Sequence, residues 1–148
     1  MNNLPRVPTV GVVILDGNKV LLVRHGEKAG HITGSYGTPG GRIDPGERVI
    51  DACVRELKEE TGLSTEKDSL LEFPEKYEVD IPRKNGKILS ISHTVFATLI
   101  FSGELVATDE TTPQWVDINS LASLPLLPNI EDMVQKAQQY LQILQDSK

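Results

Sequence analysis

Three glutamates, Glu56, Glu59 and Glu60, stand at i, i+3 and i+4. On a helix those positions are neighbours on one face, and each like-charge pair costs about 0.2–0.5 kcal/mol when the helix is isolated. Glu59 and Glu60 also fall in the last turn before Gly62, where the helix dipole favours cations. A chain that stacks anions at the wrong end of a helix breaks a local rule, and such breaks are expected at functional sites. A divalent cation removes the conflict. Oxygen-only ligands suit a hard ion, Mg²⁺ or Mn²⁺, rather than Zn²⁺. The plain alternative is a solvated acidic face, softened by Lys58 and by an Arg55–Glu59 pair at i+4. The fragment by itself does not separate the two.

Holding these carboxylates in place takes a helix with an apolar side. Ile50, Cys53, Val54 and Leu57 share one face, which predicts a helix over residues 48–61. Gly62 stops it, and Leu63 is placed for the apolar contact that follows a glycine cap. Ahead of it, Asp16-Gly17-Asn18 separates two apolar runs, residues 10–15 and 19–23, and predicts a β-hairpin. The first run is apolar on both faces, as a central strand would be. Gly11 within it marks a close backbone approach or a bulge. Residues 25–38 read as a long loop with a short strand near its end, and Pro39-Gly40-Gly41 as a backbone breaker. Asp44-Pro45-Gly46-Glu47 is a second turn signal.

Further on, Tyr77, Val79 and Ile81 alternate with acids in a half-buried strand, and Asn85-Gly86 turns the chain back. The returning strand, residues 88–101, carries Leu89, Ile91, Val95, Ala97, Leu99 and Phe101 on one face, with His93 among them. Residues 103–114 form a polar loop and 115–118 a short strand. A last helix follows Pro128, with Asn129 as N-cap and Ile130, Met133, Val134, Ala137, Leu141 and Leu144 as its stripe.

Composition bounds the rest. The 148 residues read as a single domain, 1–148, since domains run to roughly 100–200 residues. The net charge of −6 disfavours a long nucleic acid as partner. Aromatics at 5% argue against a base-stacking platform for single strands. One cysteine allows no internal disulfide and fits a reducing compartment. Met1 to Pro8 has no basic start or apolar run, so no signal peptide is expected, and no stretch approaches the roughly 18 apolar residues of a membrane span. A soluble, cytoplasmic protein is the expectation.

The glutamates belong to a longer pattern. Gly41-x5-Glu47-x7-Arg55-Glu56-Leu57-x-Glu59-Glu60-x-Gly62-Leu63 fixes nine positions in 23, directly after Pro39-Gly40. This run, residues 41–63, resembles the signature box of the Nudix hydrolases, the MutT-like pyrophosphohydrolases of nucleoside diphosphates linked to a second group. The order of flanking strands and closing helix is also similar. The resemblance covers most of the chain, although only the box is sharply specific. It implies an α/β (α+β) fold, a three-layer α/β/α sandwich with a mixed β-sheet.

The resemblance also implies roles. Glu56, Glu59 and Glu60 would be carboxylate ligands of Mg²⁺ or Mn²⁺, with Gly40 contributing its carbonyl. Arg55 would orient Glu56 and balance charge. Glu47 would pair with Arg55 or hold a second metal through water; its plain alternative is a favourable acid at a helix N-terminus. The catalytic base would be Glu56, or a distal acid such as Glu110, with Asp109 a weaker choice. Gly40, Gly41 and Arg24 would meet the substrate, Arg24 through phosphate; a solvated strand end is its alternative. His25 and His31 would line the pocket or simply be exposed. His93 reads as a core histidine, Cys53 as a small hydrophobe and Trp115 as a core anchor. The implied partner is a small nucleotide: a nucleoside triphosphate, an oxidised nucleotide or an ADP-ribose-like molecule. Many relatives are homodimers. A rival expectation is a nucleotide-binding sensor with this fold and no turnover.

Overall fold

The computed structural model describes residues 5–146; Met1 to Leu4, part of the stretch in which no signal peptide is expected, lie outside the described residues. The elements in order are β1 (Val7–Asp16), β2 (Lys19–His25), β3 (Tyr36–Gly37), β4 (Gly40–Arg42), α1 (Val49–Thr61), β5 (Leu71–Glu72), β6 (Tyr77–Pro82), β7 (Ile88–Thr98), β8 (Thr111–Asp117) and α2 (Ile130–Asp146). Short 3₁₀ turns occupy Lys67–Ser69 and Ile118–Ser123.

The strands form one mixed sheet with β1 inside it. β1 runs parallel to β7, from Val7 opposite Ile91 to Ile14 opposite Thr98. It runs antiparallel to β4 and, at its end, to β2. Its run of apolar residues follows from that position, because both faces of β1 are covered. Val10, Val12 and Ile14 face α1 and pack with Phe96, Ala52, Cys53, Leu57 and Leu63. Val13 and Leu15 face α2 and pack with Val95, Ala97, Met133, Val134 and Ala137. One helix lies on each side of the sheet, which is the expected three-layer sandwich.

Several boundaries differ from expectation. Gly40-Gly41 does not break the backbone but forms β4, with Gly41 opposite Val10 and Gly40 opposite Gly11. A Cβ on Gly40 would stand 2.0 Å from the Val10 carbonyl, so glycine permits the strand to lie this close. α1 begins at Val49, and its buried stripe is Ala52, Cys53, Leu57 and Thr61; Ile50 and Val54 are half-buried flanks. β7 stops at Thr98 rather than 101, where Thr98 Oγ1 accepts from the Ile100 N–H and Leu99 and Ile100 turn out to solvent. β8 starts at Thr111, earlier than expected, because β2 offers a partner along its whole length from Lys19 to His25. Leu144 is 45% exposed, beyond Leu141, the last buried residue of α2. No helix among the described residues is long and apolar enough to cross a membrane.

Candidate active site

The rotation of α1 decides which glutamates go inward. With Ala52, Cys53 and Leu57 packed on the sheet, Glu56 and Glu60 lie at the edge of the buried stripe and look across to β4. Glu56 is 16% exposed, and a Cβ on Gly41 would fall 2.6 Å from its carboxyl carbon. Only glycine at 41 leaves room for that carboxylate. Glu60 accepts a hydrogen bond from the Gly40 N–H at 3.2 Å. The helix is pinned just past this point. Gly62 adopts φ 86°, its N–H donates to the Lys58 carbonyl, and Thr61 Oγ1 accepts from Leu63 N–H.

Glu59 stands apart from Glu56 and Glu60. Its side chain is 59% exposed, bonds Arg55 at 3.1 Å, and does not line the cleft. Position i+3 from Glu56 falls on the shoulder of the helix. Arg55 is a hub. Its Nε and Nη2 donate to Glu47 at 2.8 and 2.9 Å, its Nη1 to Glu56 and Glu59, and its Nη2 also to the Arg42 carbonyl. Glu47 precedes the helix and lies outside the cleft; it accepts from Arg55 and from the Asp44 N–H. Those bonds hold its carboxyl down at about 2.

The cleft has a volume of about 350 Å³. Its acidic end holds Glu56, Glu60, Gly40, Gly41 and Glu110. Burial pushes the Glu60 carboxyl up to about 8, and the charges of Glu56, Glu110 and Glu59 add to the shift. Burial also raises Glu56, against the pull of Arg55. Glu110 comes from the turn before β8, whose backbone carbonyl receives the Gly26 N–H. Arg24 does not line the cleft; in β2 it is exposed between buried Val23 and His25, so strand alternation turns it away.

These residues suit a hard cation. The donors are carboxylate oxygens, and Glu60 is a half-buried carboxyl with one hydrogen-bond donor and crowded negative neighbours, a conflict that positive charge relieves. Among the described residues no group of three or more His, Cys, Asp or Glu is already gathered tightly enough to hold an ion. Arg55 holds Glu59 outward and shares Glu56.

The opposite end of the cleft is apolar, walled by Val79, Ile81, Leu89 and Ile91 from β6 and β7 and by Leu127, Ile130 and Met133. All three histidines line the cleft as well, with Arg83. His93 Nδ1 lies 2.6 Å from Thr9 Oγ1, and His25 Nδ1 donates to the Ser35 carbonyl. His93 thus combines the expected hydrogen-bonded interior with a place on the cleft wall. Sequence reasoning did not single out Arg83, Thr9 or Thr38, which the topology brings in from separate elements. No spacing pattern links them. Cys53 is buried with its thiol pushed up to about 12, and is inert. Trp115 packs against the core on the α1 side, beside Phe101.

Burial lowers all three imidazoles, His31 and His93 to about 4. The cleft histidines are therefore neutral at pH 7. Between pH 6.5 and 4 the unfolded chain binds protons that these imidazoles refuse in the fold, so their contribution to stability is lost as pH falls through that window, opposite in sign to that of the raised Glu60 carboxyl. The expected loss is about 3 kcal/mol for His93 and less for the more exposed His31. Urea unfolding at pH 7, 5.5 and 4.5 measures it, and His93→Gln flattens the slope by close to one proton. A variant slope equal to the wild-type slope would refute the role of His93.

Comparison with known proteins agrees with this architecture. A family model described as NUDIX domain matches residues 5–137. An ADP-ribose pyrophosphatase of Methanocaldococcus jannaschii is 38% identical over 121 residues, 81% of this chain and 66% of the relative. The human 8-oxo-dGDP phosphatase NUDT18 is 31% identical over 109 residues, 70% of this chain and 33% of the relative. The chain thus spans less than two thirds of the length of these curated relatives. The crystal structure of a MutT protein from Methanosarcina mazei superposes with a TM-score of 0.74 at 19% identity, covering 95% of this chain and 98% of that one.

Proposed function

The chain belongs to the Nudix hydrolase family, and from that premise we propose that it hydrolyses a pyrophosphate bond in a nucleoside diphosphate derivative with Mg²⁺ or Mn²⁺. One observation carries this reading: Glu56 and Glu60 meet Gly40 and Gly41 at one end of a cleft whose other end is apolar. Such a cleft has a charged end for the phosphates and a dry end for the group attached to them.

Glu56, Glu60 and the Gly40 carbonyl would hold the cation, with Glu59 joining once it leaves Arg55. A divalent ion held there would neutralise diphosphate charge and so open phosphorus to attack. Water forms the new P–O bond as the bridging P–O bond breaks. Its proton passes to a carboxylate, either Glu56 or Glu110; both face the acidic end. Arg55 orients Glu56 throughout. Arg42 of β4 also lines the cleft and would supply a positive charge for phosphate.

The named relatives act on ADP-ribose and on oxidised guanine nucleotides, so the substrate panel includes both. A chromatographic screen would offer nucleoside triphosphates, 8-oxo-dGTP, 8-oxo-dGDP, ADP-ribose, nucleotide sugars and dinucleoside polyphosphates, each with Mg²⁺ and Mn²⁺. Cleavage at the pyrophosphate, above a Glu60→Gln blank, is the expected result. Silence across the panel with nucleotide still bound would replace this reading with the sensor.

A further inference from the structure

The three cleft histidines differ in what their nitrogens do. The Nδ1 of His25 faces a carbonyl, which can only accept, so it carries the proton and leaves Nε2 as an acceptor. The Nδ1 of His93 is engaged by Thr9 Oγ1. His31 has neither constraint. Its Nδ1 is buried without a partner, and no hydrogen bond reaches its ring among the described residues. A buried polar atom with no partner is unfavourable and calls for one. With no fixed tautomer, the imidazole can offer a donor or an acceptor at Nε2, the nitrogen that is not buried.

The surroundings restrict what could supply that partner. Val79, Ile81, Leu89, Ile91, Ile130 and Met133 make the walls of this half of the cleft. Apolar walls disfavour a phosphate or a bare sugar, whose polar groups would lose water without repayment in hydrogen bonds. A flat, uncharged heterocycle with a hydrogen-bonding edge fits them. His25 packs edge-on to His31 with ring centres 4.8 Å apart, which closes one side of the slot.

Arg83 holds His31's loop in place. It makes no ion pair among the described residues; its Nε donates to the Gly30 carbonyl at 3.3 Å. Its guanidinium fills the space a side chain at 30 would need, with Nη2 only 1.4 Å from where a Cβ on Gly30 would lie. The next residue extends the staple. Lys84 N–H donates to the Gly30 carbonyl and Lys84 Nζ to the Glu27 carbonyl. The β6–β7 hairpin tip is thereby fastened to the β2–β3 loop through backbone carbonyls.

We propose that His31 reads the hydrogen-bonding edge of the substrate's base in the apolar half of the cleft, and that Arg83 is the positioning residue that holds His31 there. The proposal rests on the nucleotide reading above but concerns the half of the substrate that is not cleaved.

The test needs no turnover. Protein labelled with ¹⁵N in its histidine rings is titrated with GMP, AMP, CMP and UMP, and separately with inorganic pyrophosphate. The expected result is a shift of the His31 ring nitrogens with the favoured base, and a ratio of best to worst Kd of about tenfold or more. In His31→Phe and Arg83→Ala that ratio drops to within about twofold, while pyrophosphate affinity is unchanged. Gly30→Ala, which keeps both residues but displaces the guanidinium, behaves as Arg83→Ala. His31→Gln, which still offers a donor and an acceptor, recovers part of the discrimination. A His31→Phe protein that discriminates bases like wild type overturns the proposal. So do His31 nitrogens that respond to no base, or a wild-type protein that does not discriminate. Base discrimination lost in these variants while the substrate screen stays silent would sink the hydrolase reading alone. Turnover with base choice indifferent to His31 would sink this inference alone.

Discussion

Glu60→Gln removes turnover, by more than about 100-fold, and leaves the fold standing. That loss exceeds what supporting residues of metal sites usually cost, because Glu60 is the carboxylate held deepest at the acidic end of the cleft. The same variant has a second signature. In the folded protein burial pushes the Glu60 carboxyl up to about 8, well above its ordinary value. Between pH 4.5 and 8 the unfolded chain releases this proton and the fold retains it. The contribution of this carboxyl therefore falls as pH rises through that window, by at most about 3 kcal/mol at pH 7, against the opposite trend of the cleft histidines below pH 6.5. Glutamine has no such proton. Without metal, Glu60→Gln should be at least as stable as wild type at pH 7–8, and its melting temperature should gain on that of wild type as pH rises from 6 to 8. Mg²⁺ should raise the wild-type melting temperature, by the equivalent of about 2.7 kcal/mol at a hundred times its Kd, and raise the variant's far less. Thermal melts at pH 6, 7 and 8, with and without Mg²⁺, check all of this. An unfolded variant, or one that still turns over, would refute the assignment of Glu60.

Arg55→Lys cuts activity by about 10–100-fold although charge is conserved. The guanidinium spends separate N–H groups on Glu47, Glu56, Glu59 and the Arg42 carbonyl at 2.8–3.1 Å. A lysine ammonium is a point donor and cannot reach that spread of acceptors. Glu56 is then free to turn, so the variant should need more Mg²⁺ for half-maximal activity. The cost to stability is about 1–3 kcal/mol, from charge-assisted hydrogen bonds at a side chain 28% exposed. Glu47→Gln should have a weaker effect of the same kind, since it loosens Arg55 without touching Glu56. Circular dichroism separates misfolding from misorientation, and a Mg²⁺ titration reads the effect. Wild-type kcat and Mg²⁺ dependence in Arg55→Lys would show that Arg55 does not orient Glu56.

Much of this was legible in the sequence because it is written locally. Like charges at i, i+3 and i+4, a glycine cap at 62 and alternation in β6 each depend on neighbours a few residues away. The reach of those rules is also where they ended. Helical spacing put Glu56, Glu59 and Glu60 together, but the packing of Ala52 and Cys53 on Phe96 and Val12 set the helix rotation that sends Glu59 to the shoulder. Gly40-Gly41 read as a break because composition does not reveal that β1 lies beside it. Strand alternation turned Arg24 outward, off the lining of the cleft.

By itself the sequence determined the central strand, the two helices with their apolar sides and the carboxylate box, because apolar periodicity and glycine chemistry act within one element. Only the tertiary structure decided the cleft. It set the parallel pairing of β1 with β7, placed His93 at Thr9 across 84 residues, and fastened Arg83 to Gly30 across 53. Contacts of that kind leave no period in the chain. They follow from how sheet and helices close on each other, and they decide which side chains share the cleft.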